Sequence, residues 1–507
     1  MSKGGGRLEA ALARWPAWTW IAVAAVSLGF AWRLWLTPRY FGWEESDYGN
    51  LAMARGVLDS HFTSYDMNHL PGFYAASALV LAVVGDAVIA THAVCMFSGL
   101  VILVCVVLLA WRLGGARAAW LAGALVVIQP ELALYSASSL REPLYTALLI
   151  AALTFAGSER LGIAAVFGCL TFLTRMDALM VLFPVLGVHA LGARPRVRRL
   201  AWVALPAVVS VAAWALYCRL VHGTARFWEH SVAVNLETGL GEEAVSRAEW
   251  LGNGLSVAWA LATRVLPTHM GVALALAALG GLALLRWREH GQARTLGVAM
   301  LLLTGFWLGI ALTAQHEPGH NLYWKWMFQL VPVWAVAAGL GLACFHGWLE
   351  RRLGRGAAWV PMAVILASVW WQQAVETRRQ IAVSRELYAP QLALAKEIET
   401  EIPEDWPMIV DNIPGCWINR RHHARRLWTW MDVPVPEGRE GFGRWLVGED
   451  IRRVLWFREE WTQAPVVAPW LGSGGVVELG GVRVRELSRE EGYGWIWYEV
   501  DGGSHQD

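Results

Sequence analysis

The sequence predicts a polytopic α-helical membrane protein with a small soluble α/β domain at its C-terminal end. Of the 507 residues, 56% are hydrophobic and 16% are charged, whereas soluble domains carry about 25% charged residues. Apolar runs that approach the roughly 20 residues needed to cross a bilayer recur up to residue 375. The composition then becomes charged and mixed. We therefore expect a transmembrane domain, 1–375, and a soluble domain, 376–507.

The distribution of arginine predicts how the chain threads the membrane. Arg7 and Arg14 precede the first apolar run, 15–36, and the positive-inside rule places them in the cytoplasm. Later connectors alternate between arginine-rich ones, such as 112–117 and 194–199, and ones poor in positive charge. Counting crossings by the length rule gives about eleven transmembrane helices. Residues 71–84 are too short for a span, so they predict a short re-entrant or tilted helix at the outer face.

An odd number of crossings places the C-terminal domain outside the cytoplasm. The membrane that we expect is the inner membrane of a bacterium. Residues 390–402 have helical periodicity. Gly480-Gly481 lies between two alternating runs and predicts a hairpin, since glycine tolerates the positive φ angles of a two-residue turn. Strands are predicted at residues 408–412, 454–457, 476–479, 482–487 and 494–500.

Composition and missing motifs exclude several classes of protein. The formal net charge is +1, so nothing favours electrostatic binding to nucleic acid. The sequence has no phosphate-binding loop, no GxGxxG after a strand, no HExxH and no GxSxG. It therefore does not resemble an ATPase, a dinucleotide enzyme or a membrane metalloprotease.

The first outer loop carries a cluster of carboxylates. Glu44, Glu45 and Asp47 follow the first span, and Tyr48 begins a stretch with helical spacing. A carboxylate held at a membrane edge is partly desolvated, which raises its pKa and suits it to act as a general base. The alternative is a solvated acidic loop that caps the following helix.

Three further outer connectors carry ionisable residues. His69 precedes a helix start and would contact a phosphate, a sugar or only the interface. Arg141 and Glu142 stand between two spans, as an ion pair or as ligand contacts. Arg175 and Asp177 stand between two apolar runs with almost no loop. Ionisable residues at such depth are costly and indicate function, with a structural ion pair as the alternative.

The last outer connector contains His316, Glu317 and His320, followed by Tyr323 and Lys325. The spacing of the two histidines and the glutamate could hold a metal. However, Pro-Gly between them breaks the helix that would put them on one face, which favours a substrate-binding loop. No metal ligand is assigned, and the sequence leaves a divalent ion open. Lys325 would pair with a lipid phosphate or extend to the interface.

In their order along the chain, these motifs resemble the GT-C glycosyltransferase superfamily. The similarity is to the branch with protein O-mannosyltransferases and aminoarabinose transferases. That branch has an acidic first outer loop, a helix start of Lys-Pro-Pro type, a Ser/Arg–Glu stretch, an "LTRP-acidic" corner and a late Arg-Tyr-led helix. The corresponding residues here are 44–48, 69–72, 138–142, 173–177 and 321–332. Departures from the pattern are Glu44 for Asp, His69 for Lys, and Leu322 for the Arg before Tyr323.

The resemblance implies a polyprenyl-phosphate-linked sugar as donor and a hydroxyl on a lipid, glycan or protein as acceptor. Arg141, Arg175, His69 or Lys325 would stabilise the leaving phosphate, because charge-assisted contacts are the stronger ones. Glu44 by motif position, or Asp47 as second choice, would accept the proton of the acceptor hydroxyl, and displacement would invert the anomeric centre.

Three other interpretations remain at this stage. One is a transferase that uses a diphosphate-linked donor, as an O-antigen ligase or polymerase does. Another is a secondary transporter, which should carry discontinuous helices and charges near the mid-membrane. The third is an anchor that presents the C-terminal domain as a binding module, although about eleven spans exceed what anchorage requires.

Overall fold

We analysed a computed structural model of the chain. It describes residues 17–41, 46–60, 69–192, 194–227, 247–261, 263, 280, 291–314, 321–402, 406–410, 414, 417–418, 427–429, 438–457, 470–471, 474–490 and 495–501.

Helices dominate the described part of the chain. They are α1 (Ala17–Leu36), α2 (Ser46–Ser60), α3 (Gly72–Val84), α4 (Ala87–Val127), α5 (Pro130–Tyr135), α6 (Glu142–Ala156), α7 (Leu161–Thr174), α8 (Leu182–Leu191), α9 (Arg196–His222), α10 (Arg247–Ala260), α11 (Gly291–Ala314), α12 (Asn321–Leu353), α13 (Trp359–Glu401) and α14 (Gly438–Gly448), with a 3-10 turn at Met176–Leu179. One large apolar core joins α1, α4, α6, α7 and α12.

Several helices have the length and composition of membrane spans. Among the described residues, Ala17–Leu36, Ala87–Val127, Arg196–His222 and Phe328–Leu353 are long and apolar enough to cross a bilayer. Five shorter apolar helices accompany them, including Gly72–Val84, where a short helix was predicted. The polytopic α-helical architecture is confirmed, and the count of about eleven crossings stays a prediction.

Helix α4 contains the connector that the sequence predicts at 112–117. Gly115 has φ 69° and ψ −163°, values that interrupt the helix and that glycine adopts at no steric cost. A Cβ at Gly123 would lie 3.2 Å from Cγ2 of Val107. Because these two residues stand eight positions on either side of Gly115, the two halves of α4 fold back on each other.

The C-terminal region forms a mixed six-stranded sheet in the order β2-β1-β3-β6-β5-β4. The strands are β1 (Met408–Val410), β2 (Leu427–Thr429), β3 (Arg453–Phe457), β4 (Val476–Leu479), β5 (Val482–Glu490) and β6 (Trp495–Asp501). β1 runs parallel to β2 and β3, and the other pairs are antiparallel. The β4–β5 hairpin turns at Gly480 and Gly481, both with positive φ, as predicted. Hydrogen bonds from Arg485 and then Arg453 lower the pKa of the Glu499 carboxyl on β6.

Helix α13 runs without interruption from the membrane core to this sheet. Near its start, Trp370 Nε1 donates to the carbonyl of Ala124 at 2.8 Å. Near its end, Ile398 packs with Met408 and Leu455 of the sheet. The predicted domain boundary at residue 375 therefore lies inside a continuous helix, and the division into two domains stays a prediction.

Candidate active site

A buried ion cluster joins the start of α6 to the end of α7. Arg175 follows α7 with an extended backbone (φ −153°, ψ 136°), which ends the helix before the 3-10 turn. Its Nη1 donates to Oε1 of Glu142, and its Nε donates to Oδ2 of Asp177 at 2.8 Å. The three side chains are only 8%, 2% and 10% exposed, respectively. A guanidinium held by two carboxylates has a fixed position, so this cluster ties the two helix ends together.

The pairing corrects one interpretation of the sequence. Glu142 pairs with Arg175 across 33 residues, so the alternative of an Arg141–Glu142 ion pair is wrong. Arg141 occupies the cap position of α6 and makes no side-chain capping hydrogen bond. Its side chain is partly exposed, and it forms no ion pair within the part of the chain that the structure describes. Arg141 is therefore a cation that remains available beside the buried cluster.

Helix α2, which carries Asp47 and Tyr48, is anchored beside the same segment. Asn50 Nδ2 donates to the carbonyl of Ser139 at 2.8 Å, and the hydroxyl of Tyr74 on α3 donates to Asn50 Oδ1 at 2.8 Å. Asn50 is 6% exposed and Tyr74 is 1% exposed. Since Asn50 lies three residues after Asp47, these two bonds fix the first turn of α2.

Asn50 is not among the site residues that the sequence predicts, although one signal in the sequence points to it. Leu51, Ala54 and Val57 are buried on the inner face of α2, and Asn50 shares that face with Ala54 and Val57 at i, i+4 and i+7. A polar side chain on a buried face needs a partner, because an unsatisfied buried amide is costly. The pattern therefore indicated a hydrogen-bonding residue, but it could not identify Ser139 or Tyr74.

Residues 138–142 are held from a second side by α4. Thr91 and Ser139 share a hydrogen bond of 2.8 Å between their hydroxyl oxygens, and the Cys95 thiol donates to the carbonyl of Leu140 at 2.9 Å. Together with the Asn50 contact, these bonds make the segment a rigid support between α2 and the ion cluster.

Helix α3 begins against the corner that carries Arg175. A Cβ on Gly72 would lie 2.7 Å from Oγ1 of Thr174 and 2.8 Å from the carbonyl oxygen of Leu173. Only glycine allows this approach of α3 to the corner. His69, just before α3, makes an edge contact with the Tyr74 ring, with ring centroids 6.0 Å apart. The structure thus brings His69 and α2 together through Tyr74.

A cavity of about 490 Å³ opens beside α2, on the same side of the molecule as these contacts. Its wall comes from the end of α1, Leu51 of α2, the start of α4, and α13. The lining is mostly apolar, and its polar residues include Thr37, Ser138, Ser139, His92 and Lys396. Ligand sites in proteins have this combination of apolar walls and a few polar groups.

The structure does not describe every predicted site residue. Asp47, Tyr48, Tyr323 and Lys325 lie on α2 and α12, but their side chains fall outside the described residues. The remaining candidates lie wholly outside them: Glu44, Glu45, His316, Glu317 and His320. Within the described part of the chain, no group of three or more His, Cys, Asp or Glu residues could hold a metal ion.

The Asn50 hydrogen bonds yield a first testable prediction. Asn50→Ala should lower the glycosyl transfer that the family resemblance implies by about tenfold or more, because it leaves buried partners unpaired at about 1–3 kcal/mol each and releases the turn that carries Asp47. Transfer by purified protein and thermal unfolding would measure the two effects. Asn253→Ala is the matched control, since Asn253 is an exposed asparagine on α10. Wild-type transfer by Asn50→Ala would show that this anchor does not position the site.

Solved structures were compared with the whole chain. ArnT from Cupriavidus metallidurans, an aminoarabinose transferase, bound to undecaprenyl phosphate, is 13% identical, with a TM-score of 0.60 over 96% of this chain and 98% of that chain. The same enzyme in the apo state is 15% identical, with a TM-score of 0.58 over 95% and 97%. ArnT is a GT-C transferase. The chain has the GT-C fold.

A second enzyme of known structure has the same fold. The Archaeoglobus fulgidus oligosaccharyltransferase, in complex with Zn and sulfate, is 14% identical, with a TM-score of 0.54 over 90% of this chain and 71% of that chain. The sequence itself matches no protein-family model and no curated protein. The resemblance inferred from the order of the motifs is therefore confirmed by the fold.

Proposed function

We propose that the chain is a membrane glycosyltransferase that moves a sugar from a polyprenyl-phosphate-linked donor to an acceptor hydroxyl on the extracytoplasmic side. The observation that carries this proposal is the likeness, over nearly the full length of both chains, to an ArnT bound to undecaprenyl phosphate. The site supports it independently, because α2 is anchored by Asn50 beside a buried ion cluster.

The cations of the site divide into two roles. Arg175 is buried and bonded to Glu142 and Asp177, so it positions the ends of α6 and α7 and does not meet the donor. Arg141 is partly exposed beside this cluster, and it stabilises the phosphate as charge develops there. His69 and Lys325 are the further candidates for this contact, because hydrogen bonds to a charged oxygen are strong in a desolvated site.

The transfer step follows from these roles. A carboxylate on the loop before α2 or on its first turn, Glu44 or Asp47, accepts the proton of the acceptor hydroxyl. The hydroxyl oxygen forms a bond to the anomeric carbon from the face opposite the phosphate, and the bond from that carbon to the phosphate oxygen breaks. The electron pair leaves with the lipid phosphate. This leaving group is a stable anion, so no acid catalyst has to protonate it. The product has the inverted configuration.

A divalent ion remains a separate question. The oligosaccharyltransferase neighbour is described in complex with Zn and sulfate, while the residues with metal-type spacing here, His316, Glu317 and His320, lie outside the described residues. We propose displacement without a required metal, and transfer measured with EDTA and with added Zn²⁺ or Mn²⁺ tests this part.

A double substitution of the two candidate bases, Glu44 and Asp47, tests the proposal. Purified protein in lipid nanodiscs receives a polyprenyl-phosphate sugar and a mixture of lipid, glycan and peptide acceptors. The Glu44→Gln, Asp47→Asn variant should lose transfer by a factor of about 10² or more, since general-base catalysis contributes about 10²–10⁴-fold. A parallel reaction with a diphosphate-linked donor separates the two donor classes.

The control for this experiment lies on the same helix. Asp59, at the far end of α2, pairs with Arg55 one turn earlier, and Asp59→Asn should leave transfer unchanged. Wild-type transfer by a correctly folded double variant would refute the assignment of the base. Turnover of the diphosphate donor alone would refute the donor class.

A further inference from the structure

A second polar pocket lies at the opposite end of α7 from the ion cluster. Arg175 follows the last residue of α7, and Arg160 precedes the first, so the two sites are separated by 14 residues, or about 21 Å of helix. The pocket has a volume of about 340 Å³. It is lined by residues 159–162 and by the loop and the first two turns of α9, which contribute Arg194, Arg198, Arg199 and Trp202.

The arginines of this pocket are unequally neutralised. Arg199 Nη2 lies 2.6 Å from Glu159 Oε2, and it also contacts Nε2 of the buried His189 at 3.4 Å. Arg160, Arg194 and Arg198 are exposed, and none of their three guanidinium groups has a hydrogen bond or ion pair within the described residues. Across the part of the chain that the structure describes, one carboxylate thus faces four guanidinium groups, and three of the four have no counter-charge there.

An apolar surface continues from the pocket along α9. The Trp202 ring covers Gly162, where an added Cβ would lie 3.8 Å from the ring, and Trp202 itself is 54% exposed. One turn beyond Trp202, Leu205 is 66% exposed, and a further turn on, Val209 is 56% exposed. A cationic pocket with a tryptophan at its edge and an apolar helix face beside it has the profile of a membrane interface.

We propose that this pocket binds the phosphate-bearing head group of an anionic membrane lipid, with the acyl chains along the exposed face of α9. Guanidinium groups hold phosphate oxygens in paired hydrogen bonds, and basic pockets between membrane helices bind anionic head groups. The lipid would bridge the connector before α7 and the connector before α9. Glu159 holds Arg199 in place and leaves the other three arginines for the ligand.

Lipid binding by the purified full chain tests this site. Native mass spectrometry in detergent would measure the binding of cardiolipin, phosphatidylglycerol and phosphatidylcholine. The wild type should bind the two anionic lipids more tightly than phosphatidylcholine. The Arg194→Gln, Arg198→Gln double variant should bind cardiolipin about thirtyfold more weakly. Each arginine near an anionic surface contributes about 1 kcal/mol of binding free energy, and two are lost. Arg194→Lys with Arg198→Lys should retain most of it, because the charge is kept.

The control removes the same charge elsewhere. Arg351 and Arg352, exposed in the last turn of α12, line no part of this pocket, so Arg351→Gln with Arg352→Gln should bind cardiolipin as the wild type does. Equal weakening in both pairs, equal binding of phosphatidylcholine, or displacement of the lipid by millimolar inorganic phosphate would overturn the proposal. If the Arg194, Arg198 variant does not fold, Arg160→Gln serves as the test and is expected to weaken binding by itself.

Discussion

Arg175→Gln is expected to lower glycosyl transfer by about a hundredfold, the loss that a misplacement of about 1 Å produces at an active site. It should also destabilise the protein by about 3–5 kcal/mol, because Glu142 and Asp177 would be left as buried charges without their shared partner. Arg175→Lys should fall between the wild type and Arg175→Gln, since lysine keeps the charge but cannot form the two-sided contact. Steady-state transfer and thermal unfolding measure the two effects.

A compensated variant separates placement of the site from general stability. Glu142→Met, Arg175→Met and Asp177→Leu together replace every charge of the cluster with an apolar side chain of similar volume. Such replacement of a buried ionic group is often neutral or stabilising, so the triple variant should unfold close to the wild-type temperature. Transfer should stay low, because the fixed geometry of the two helix ends is lost. Recovery of both transfer and stability would show that the cluster contributes nothing specific to the site.

The sequence predicted the members of this cluster and left an Arg175–Asp177 ion pair as an alternative, which the structure contains, but it did not predict the pairing of Glu142 with Arg175. The corner at Arg175 and Asp177 and the stretch at Glu142 were both selected because charges stood between apolar runs. Neighbours in sequence then suggested Arg141 as the partner of Glu142. Only the packing of α6 against α7 brings Glu142 to Arg175, and contacts of such long sequence separation leave no local pattern. The partners of Asn50 could not be predicted from sequence for the same reason, since they lie 24 and 89 residues away.

The fold was more predictable than the site because it depends on composition and turn chemistry. The arginine-rich connector at 112–117 and the glycines at 480–481 each predicted a chain reversal. Gly115, Gly480 and Gly481 have positive φ at these reversals, which few other residues adopt. The continuous helix α13 was not foreseen. Its sequence changes from apolar to charged near residue 375. Charged residues continue a helix as well as apolar ones do, so this change marks where the helix leaves the apolar core and not where the helix ends.

Gly339→Leu is expected to prevent assembly of the membrane core. Helix α12 packs on the second half of α4, and a Cβ at Gly339 would lie 2.7 Å from Cβ of Ala122 and 2.8 Å from the carbonyl oxygen of Ala118. Since backbone atoms form this contact, no rotation of a side chain can relieve it. The bilayer supplies no hydrophobic force between helices, so association depends on such close packing of small residues.

The matched control is a glycine two turns further along the same helix. A Cβ at Gly347 would meet only the Arg351 side chain, at 3.9 Å, so Gly347→Leu should yield folded protein at the wild-type level. Alanine substitutions at the two glycines give a second comparison, because alanine stabilises a helix relative to glycine by about 0.8–1.0 kcal/mol. Gly347→Ala should therefore be neutral or stabilising, whereas Gly339→Ala should lower the unfolding temperature through its backbone contact. Equal melting of the two alanine variants would mean that α12 and α4 do not pack at the distance described.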